Sequence, residues 1–275
     1  MLTRNNRWVR IAEVNPPDLP NMSHLRLDGA WSHVMVTDNV FGRIRVSPYA
    51  FAARLTHDVP EVHPTVVVST RDRNILAIES EVRGALGNGV DSFLVVHGDT
   101  MPHVDHLAQS HEIVEHLREL GQREEIPTFE IGTPTRFRDW QFRQRVNHGA
   151  QFAVAGPIID PATVEPNVDR LKLRPEDPPV YVMVSPPFSL GWVDKIESMG
   201  GVPASDELKA RLAETEPAAL RAQAWAIIRE IEDRARDAGC AGVVLTGLKH
   251  DTLVGEAAGA LRNTSPEAVL VKGAE

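Results

Sequence analysis

The sequence predicts a single-domain (β/α)8 TIM barrel over residues 1–275, that is, eight parallel strands alternating with helices. Short apolar runs rich in Val, Ile and Phe recur along the chain, and a helical pattern follows most of them. The runs are unbroken rather than alternating with polar residues, which is typical of parallel strands covered on both faces. No Gly-x-Gly-x-x-Gly follows the first run, so an open dinucleotide-binding sheet is disfavoured.

The order of the elements supports this fold class, because eight strand and helix units fill about the length of one barrel. The predicted strands are Trp8–Val14, His33–Thr37, Thr65–Ser69, Ser92–Val96, Thr128–Ile131, Phe152–Ile159, Val180–Val184 and Val243–Leu245. Helical spacing is found at Tyr49–Leu55, Arg73–Leu86, Leu107–Leu120, Arg136–Val146, Leu190–Met199, Pro217–Ala238 and Thr252–Leu261. Val269–Lys272 is a candidate extra strand, and Pro175–Pro179 is predicted to be a rigid loop within the domain.

Composition excludes several classes of protein. Lys and Arg total 29 against 38 Asp and Glu, a net charge of −9 that argues against nucleic-acid binding. A single cysteine, Cys240, allows no intrachain disulfide. No apolar run approaches the roughly 20 residues of a membrane span, and the first residues lack the apolar core of a signal peptide. We therefore expect a soluble cytoplasmic protein with no membrane partner.

In a barrel of this kind the active site lies at the carboxyl ends of the strands, where Glu13 is the most informative residue. It follows an apolar run and precedes Pro16 and Pro17. A carboxyl group that is desolvated there would have a raised pKa and could act as a general acid near neutral pH. The alternative is a structural Glu13 that forms a salt bridge with a barrel arginine.

Other polar residues at predicted strand ends have two interpretations each. Asp99 follows Gly98, which lets the backbone approach a ligand closely, but Asp99 could equally cap the next helix. His97 could reach the site or pack beside it. We expect no metal site, because His103, His106 and His111 lack a convergent third ligand type. Glu130 lies near the end of the predicted strand Thr128–Ile131, so we expect it at the carboxyl end of the barrel as well.

Taken together, the strand ends resemble the methylenetetrahydrofolate reductase family. Ala12-Glu13-Val14-Asn15-Pro16-Pro17 is similar to the family's Phe-Glu-Phe-Phe-Pro-Pro. Val36-Thr37-Asp38-Asn39 and Ser69-Thr70-Arg71-Asp72-Arg73-Asn74 resemble its second and third strand ends. Gly98-Asp99 matches a Gly-Asp pair, and Val146-Asn-His-Gly149-Ala resembles the stretch before strand six. The similarity covers most of the chain in the same order.

The resemblance implies reduction of 5,10-methylenetetrahydrofolate with hydride from NADH or NADPH. Glu13 matches the acid that protonates N10, and Asp99 matches the aspartate that binds the pterin. Thr37 and Asn39 are further candidates for contacts with the substrate, as is Gly156 through its position on strand six. Cofactor contacts are expected from Thr37, Asp38, His97, Gln141 and Arg145.

Two departures from the family pattern bear on the cofactor. The glutamine that orients pterin and nicotinamide is replaced by Gly156. The positions that hold flavin phosphates and ribose are occupied by Arg138, Gln141, Gln144 and Arg145, which are only partly equivalent. We therefore expect direct hydride transfer without bound FAD.

Three alternatives remain open from the sequence. The same reductase could work with FAD in a ping-pong mechanism. The chain could be a barrel subunit that binds folate or another pterin without turnover, a reading favoured by the loss of the glutamine and disfavoured by the retention of Glu13. The barrel could also support an unrelated hydrolytic or lyase reaction, because a fold does not fix a function.

Overall fold

The predicted barrel is present. The computed structural model describes residues 1–4, 7–18, 31–99, 109–123, 125–199, 201–248 and 251–261, with side chains from Val254 onward in the last range. Eight parallel strands pair in chain order, and the first strand also pairs with the last, so the sheet closes. The strands are Val9–Val14 (β1), His33–Val36 (β2), His63–Ser69 (β3), Ser92–Val96 (β4), Glu130–Thr135 (β5), Phe152–Ile158 (β6), Val180–Val184 (β7) and Gly242–Leu245 (β8).

Helices cover the outside of the barrel and bury one apolar face each. In the second helix, Ile78, Val82 and Leu86 recur at intervals of four and are buried, and the Asn74 side chain caps the helix by accepting from the Ala77 backbone N–H. The helices are Pro48–Asp58 (α1), Ile75–Leu86 (α2), Ser110–Leu120 (α3), Asp139–Asn147 (α4), Val164–Val168 (α5), Leu190–Ser198 (α6), Asp206–Glu214 (α7), Leu220–Asp237 (α8) and Asp251–Leu261 (α9). In the described part of the chain, none of them combines the length and the apolar character of a membrane span.

The strands have two faces, and both are buried. Residues that face the helices form the larger core cluster, which includes Val34, Val66 and Val95. Alternate residues face inward and form a separate cluster in the centre of the barrel. Its members include Val9, Ile11, Met35, Val67, Leu94, Phe152, Val154, Tyr181 and Val244. The apolar centre therefore separates two polar ends.

The end of the barrel at the amino termini of the strands is closed by the N-terminal segment of the chain. The buried Glu130 carboxyl group accepts from the backbone N–H groups of Leu2 and Thr3 at 2.6 and 2.9 Å, and from the Thr3 hydroxyl at 2.8 Å. The Ser92 hydroxyl donates to Glu130 at 2.8 Å, and Tyr181 donates to the Leu2 carbonyl oxygen at 3.1 Å. A short helical turn thus seals this end.

Two histidines add to the polar layer at the same end. The rings of His33 and His63 lie 5.3 Å apart between centroids. Burial, reinforced by the charge of His63, lowers the pKa of His33 to about 4. His33 is therefore neutral at neutral pH and packs as part of the sealed layer.

Most of the predicted elements have the predicted positions, but the prediction for β5 is wrong. The sequence places this strand at Thr128–Ile131, whereas it runs from Glu130 to Thr135. Glu130 consequently lies at the amino end of the strand, opposite the expected site. The pattern misleads because the strand contains Gly132, where a Cβ atom would lie 2.1 Å from the Phe152 ring, so no apolar side chain fits there. Helix α7 is absent from the predicted elements. The candidate strand Val269–Lys272 lies outside the described residues.

The Glu130 contacts predict a strong effect of Glu130→Ala on folding. The substitution leaves two backbone N–H groups and two hydroxyl groups without their acceptor in a buried layer, and a buried unsatisfied group costs about 1–3 kcal/mol. We expect the free energy of unfolding to fall by about 3 kcal/mol or more in urea denaturation. Glu119→Ala on the exposed face of α3 is the matched control and should change it by no more than about 0.5 kcal/mol. Equal effects of the two variants would show that this network does not hold the N-terminal segment.

Candidate active site

Glu13 is placed at the open end of the barrel by the alternation of β1. Val9 and Ile11 both belong to the inner cluster, and Glu13 is the next residue that faces inward. Pro16 and Pro17 follow the strand, and the Pro16 carbonyl oxygen accepts from Arg45 at 2.8 Å. The carboxyl group therefore lies between the apolar centre and the mouth formed by the carboxyl ends of the strands.

Its surroundings raise the pKa of Glu13, as the sequence predicts. Burial is the largest cause, and the negative charge of Asp99 acts in the same direction, while a hydrogen bond with the Thr246 side chain opposes both. In the described part of the chain, no arginine or lysine offsets this effect. The alternative of a Glu13 paired with a barrel arginine thus has no support among these residues. Glu13 can hold a proton at a pH where an ordinary glutamate has lost it.

Asp99 lies at the same end, and its environment connects three strand ends. It accepts from the backbone N–H of Phe41 at 2.6 Å, and its Oδ2 atom is 3.7 Å from Nη1 of Arg71. Gly98 permits this arrangement, because a Cβ atom there would lie 2.4 Å from the Ser69 hydroxyl. Asp99 keeps 41% of its side chain exposed. The structure therefore brings the two predicted carboxylates together at one mouth.

Of the other predicted contacts on the second strand, Thr37 lies near the mouth but is engaged. Its hydroxyl donates to Oδ1 of Asn15 at 2.7 Å. Asp38 faces the opposite way, where Arg73 forms an ion pair with it in a buried network. Asn39 uses its side chain within its own loop, accepting from the Arg45 backbone N–H at 2.8 Å and donating to Asp38 at 3.0 Å. Asp38 and Asn39 therefore organise the loop rather than face the mouth.

The remaining predicted cofactor residues do not converge on Glu13. His97 is exposed and continues the outward alternation of Phe93 and Val95. Arg145 lies between α4 and the outer face of β5, where its Nη1 atom donates to the Thr133 hydroxyl at 3.1 Å. Gln141 lies at the start of α4, with its carbonyl oxygen 3.5 Å from the Arg136 backbone nitrogen.

Gly156 ends the inward-facing series of β6 and occupies a restricted position. Its φ angle is +137°, and a Cβ atom would lie 2.7 Å from the Met183 carbonyl oxygen. A glutamine, or any other side chain, is therefore excluded here without a shift of the backbone. Gly156 also borders a cavity of about 430 Å³ whose wall includes Arg136, Arg138 and Arg170.

Several residues at the mouth are not identified by sequence reasoning. Nη1 of Arg71 is buried without a hydrogen-bond partner, although its Nη2 atom donates to the Asn39 carbonyl oxygen at 2.7 Å. Trp192, at the start of α6, donates from its indole N–H to the Ser185 hydroxyl at 2.9 Å, beside Gly247. Arg71 stands in a quoted motif and could have been found there, whereas Trp192 belongs to a helix and carries no local signal.

Of the three histidines that could form a metal site, the structure describes His111 alone. His103 and His106 lie outside the described residues. The ring of His111 packs 4.9 Å from that of His148, and His148 lies 3.3 Å from Glu115. Among the described residues, no three metal-ligating side chains cluster.

Comparisons with known proteins support the fold. No protein family and no curated protein matches the sequence. A solved structure from Clostridium thermocellum, described as binding two copies of 5-methyl-5,6,7,8-tetrahydrofolic acid, aligns with a TM-score of 0.61 at 10% identity, covering 95% of this chain and 96% of that one. A structure described as native KDPGal aligns at 0.53 and 13% identity, covering 96% and 98%. 2,3-Dimethylmalate lyase, of the PEP mutase/isocitrate lyase superfamily, aligns at 0.53 and 10% identity, covering 95% and 81%.

The raised pKa of Glu13 predicts a pH-dependent gain of stability in Glu13→Gln. Because the folded state holds the Glu13 proton more tightly than the unfolded state, wild-type stability decreases as the pH rises above the ordinary glutamate value. The amide has no proton to lose. The variant should therefore melt at the same temperature as the wild type at pH 4.5 and at a higher temperature than the wild type at pH 8. Thermal denaturation at the two pH values measures the difference. A variant that melts lower than wild type at pH 8 would indicate a structural ion pair instead.

Proposed function

We propose that the protein reduces 5,10-methylenetetrahydrofolate to 5-methyltetrahydrofolate with hydride from NADH or NADPH. The observation that carries the proposal is a glutamate held inside the barrel mouth with a raised pKa and no neighbouring cation in the described chain. A site that only binds a ligand has no need of such a group, whereas a reaction that begins with protonation does. The segments that resemble the reductase family at Glu13, Thr37 and Asp99 lie at the carboxyl ends of β1, β2 and β4, which supports the proposal.

Glu13 has a defined task in this reaction. It donates its proton to N10 of the substrate, the bond between N10 and the bridging methylene carbon breaks, and the electron pair of that bond remains on N10. The methylene carbon is then part of an iminium cation at N5. A bound nicotinamide would supply the hydride that converts this carbon into the methyl group, and Glu13 regains a proton from solvent.

The negative charge of Asp99 at the same mouth serves two purposes in the proposed reaction. It disfavours ionisation of Glu13 before the substrate arrives. Its partly exposed carboxylate can also accept hydrogen bonds from the N–H groups of a pterin ring, and it favours the positive charge that develops at N5. Arg71, 3.7 Å away, restrains Asp99 and is therefore a positioning residue.

A protein with the same fold lends support to a folate ligand. The Clostridium thermocellum structure is described as binding 5-methyltetrahydrofolic acid, which is the product of the proposed reaction. A barrel of this architecture can therefore accommodate the reduced pterin and its methyl group.

The flavin is the part of the family pattern that fits least well. Arg145 donates to Thr133 on the outer face of β5, and Gln144 is exposed on α4. Arg138 borders the cavity at Gly156. These residues point in different directions and do not form one cradle for FAD, so we propose direct hydride transfer from the nicotinamide.

A second candidate is a barrel that binds a reduced pterin without turnover. The restricted backbone at Gly156 favours it, because the family glutamine cannot be accommodated there. The two candidates differ in one measurement, since only the reductase oxidises NADH when methylenetetrahydrofolate is added.

Glu13→Gln should lower kcat by about 10²–10⁴-fold, the usual contribution of general acid catalysis, because the amide cannot release a proton to N10. Binding of 5-methyltetrahydrofolate should change little, since the amide keeps the shape of the acid. NADH oxidation and equilibrium binding measured on one preparation test both statements. Glu61→Gln, at an exposed position, is the matched control. Turnover close to that of wild type would remove Glu13 from the mechanism.

Purified protein should show no visible absorbance from a bound flavin, and added FAD should not increase NADH oxidation. The reason is that the residues at the flavin-binding positions of the family do not form one binding site for FAD. An absorbance spectrum of the native protein, with and without prior incubation with FAD, provides the measurement. Stoichiometric FAD in the preparation would contradict direct transfer and would favour the ping-pong alternative.

A further inference from the structure

A concentrated positive charge lies beside the mouth of an acidic protein. The cavity of about 430 Å³ at Gly156 is lined by Arg136, Arg138 and Arg170, although the chain as a whole has a net charge of −9. Arg136 and Arg138 lie between β5 and α4, and Arg170 lies in the helical turn after α5. Three arginines from two separate segments in one concave site make it attractive to an anion.

The local backbone directs two of these arginines to the same site. Phe137, between them, has a φ angle of +52°, a left-handed conformation that is uncommon for a bulky residue. Its ring is buried in the core, while Arg136 and Arg138 on either side are exposed at the cavity. Such strained positions are concentrated at functional sites.

The arginines keep their donors available. Among the described residues, Arg136 and Arg138 form no ion pair, and Asp139, the residue after Arg138, is held by Arg143 at 3.0 Å. In the described ranges, the side chain of Arg170 donates to the neutral Asn167 side chain, at 3.2 Å, and pairs with no carboxylate. Helix α4 begins directly after Arg138, which is its N-cap residue.

We propose that this basic pocket binds the diphosphate of the nicotinamide nucleotide, an inference that rests on the proposed function and extends it. A carboxylate is satisfied by one arginine, whereas a diphosphate offers oxygens for several guanidinium groups at once. Gly156 belongs both to the pocket wall and to the inward face of β6, so a nucleotide held here can extend its other end into the mouth.

The test measures binding rather than activity. Isothermal titration with ADP, NADH, FAD and tetrahydrofolate, each at low and high salt, compares wild type with Arg136→Gln and Arg170→Gln. Because charge-assisted hydrogen bonds are worth about 1.5–3 kcal/mol, each substitution should lower the affinity for ADP and NADH about tenfold or more. Added salt should lower the affinity of the wild type more than that of the variants. Arg123→Gln is the control and should bind as wild type does, because Arg123 lies in the turn after α3, where it pairs with Glu79 at 3.6 Å. Arg170→Lys should recover part of the loss.

Other outcomes overturn the inference. ADP and NADH affinities that do not change in the variants would show that the pocket binds no nucleotide phosphate. Weakened binding of FAD alone would assign the pocket to a flavin, and weakened binding of tetrahydrofolate alone would assign it to the carboxylates of the folate tail. Failure of the proposed function is distinct, since it would appear as no NADH oxidation by a wild-type protein that still binds ADP through these arginines.

Discussion

Closure of the eight-stranded sheet determines the environment of every residue on the strands. In a closed barrel of parallel strands there is no exposed face, because one set of side chains packs under helices and the other fills a narrow interior. A polar residue on an inward position must therefore find a partner within the barrel or lie at one of its ends. Glu13 and Glu130 are both at such positions, yet they meet opposite conditions.

The two ends of the barrel differ in how completely their polar groups are satisfied. At the amino end, the N-terminal segment supplies donors to Glu130, and the layer with Ser92 and Tyr181 is sealed. At the carboxyl end, burial and the negative charge of Asp99 disfavour the ionised form of Glu13, and the hydrogen bond with Thr246 offsets this only in part. Buried polar groups that lack full satisfaction are destabilising, so they persist where a ligand or a reaction uses them.

The loops around the mouth show how motif residues divide between structure and chemistry. Asp38 and Arg73 both belong to motifs that resemble the reductase family, but they pair with each other between the barrel and its helices. Their role is to hold the β2 and β3 loops in place, and with them Asp99 through Phe41 and Arg71. A match to a motif therefore does not imply that a side chain faces the substrate.

The sequence by itself determined the fold class, most strand positions and the placement of Glu13 and Asp99 at one end. Apolar runs and their spacing are local properties of the chain, and the carboxyl ends of parallel strands share one end of a barrel. It misplaced β5, since Gly132 is required by the Phe152 ring of the neighbouring strand and not by its own segment. Only the tertiary structure decided that Asp38, His97 and Arg145 turn away from Glu13, and that Arg136 and Arg170 meet beside Gly156. Side-chain direction at a strand end and contact between distant loops depend on packing across the barrel, which no local pattern records.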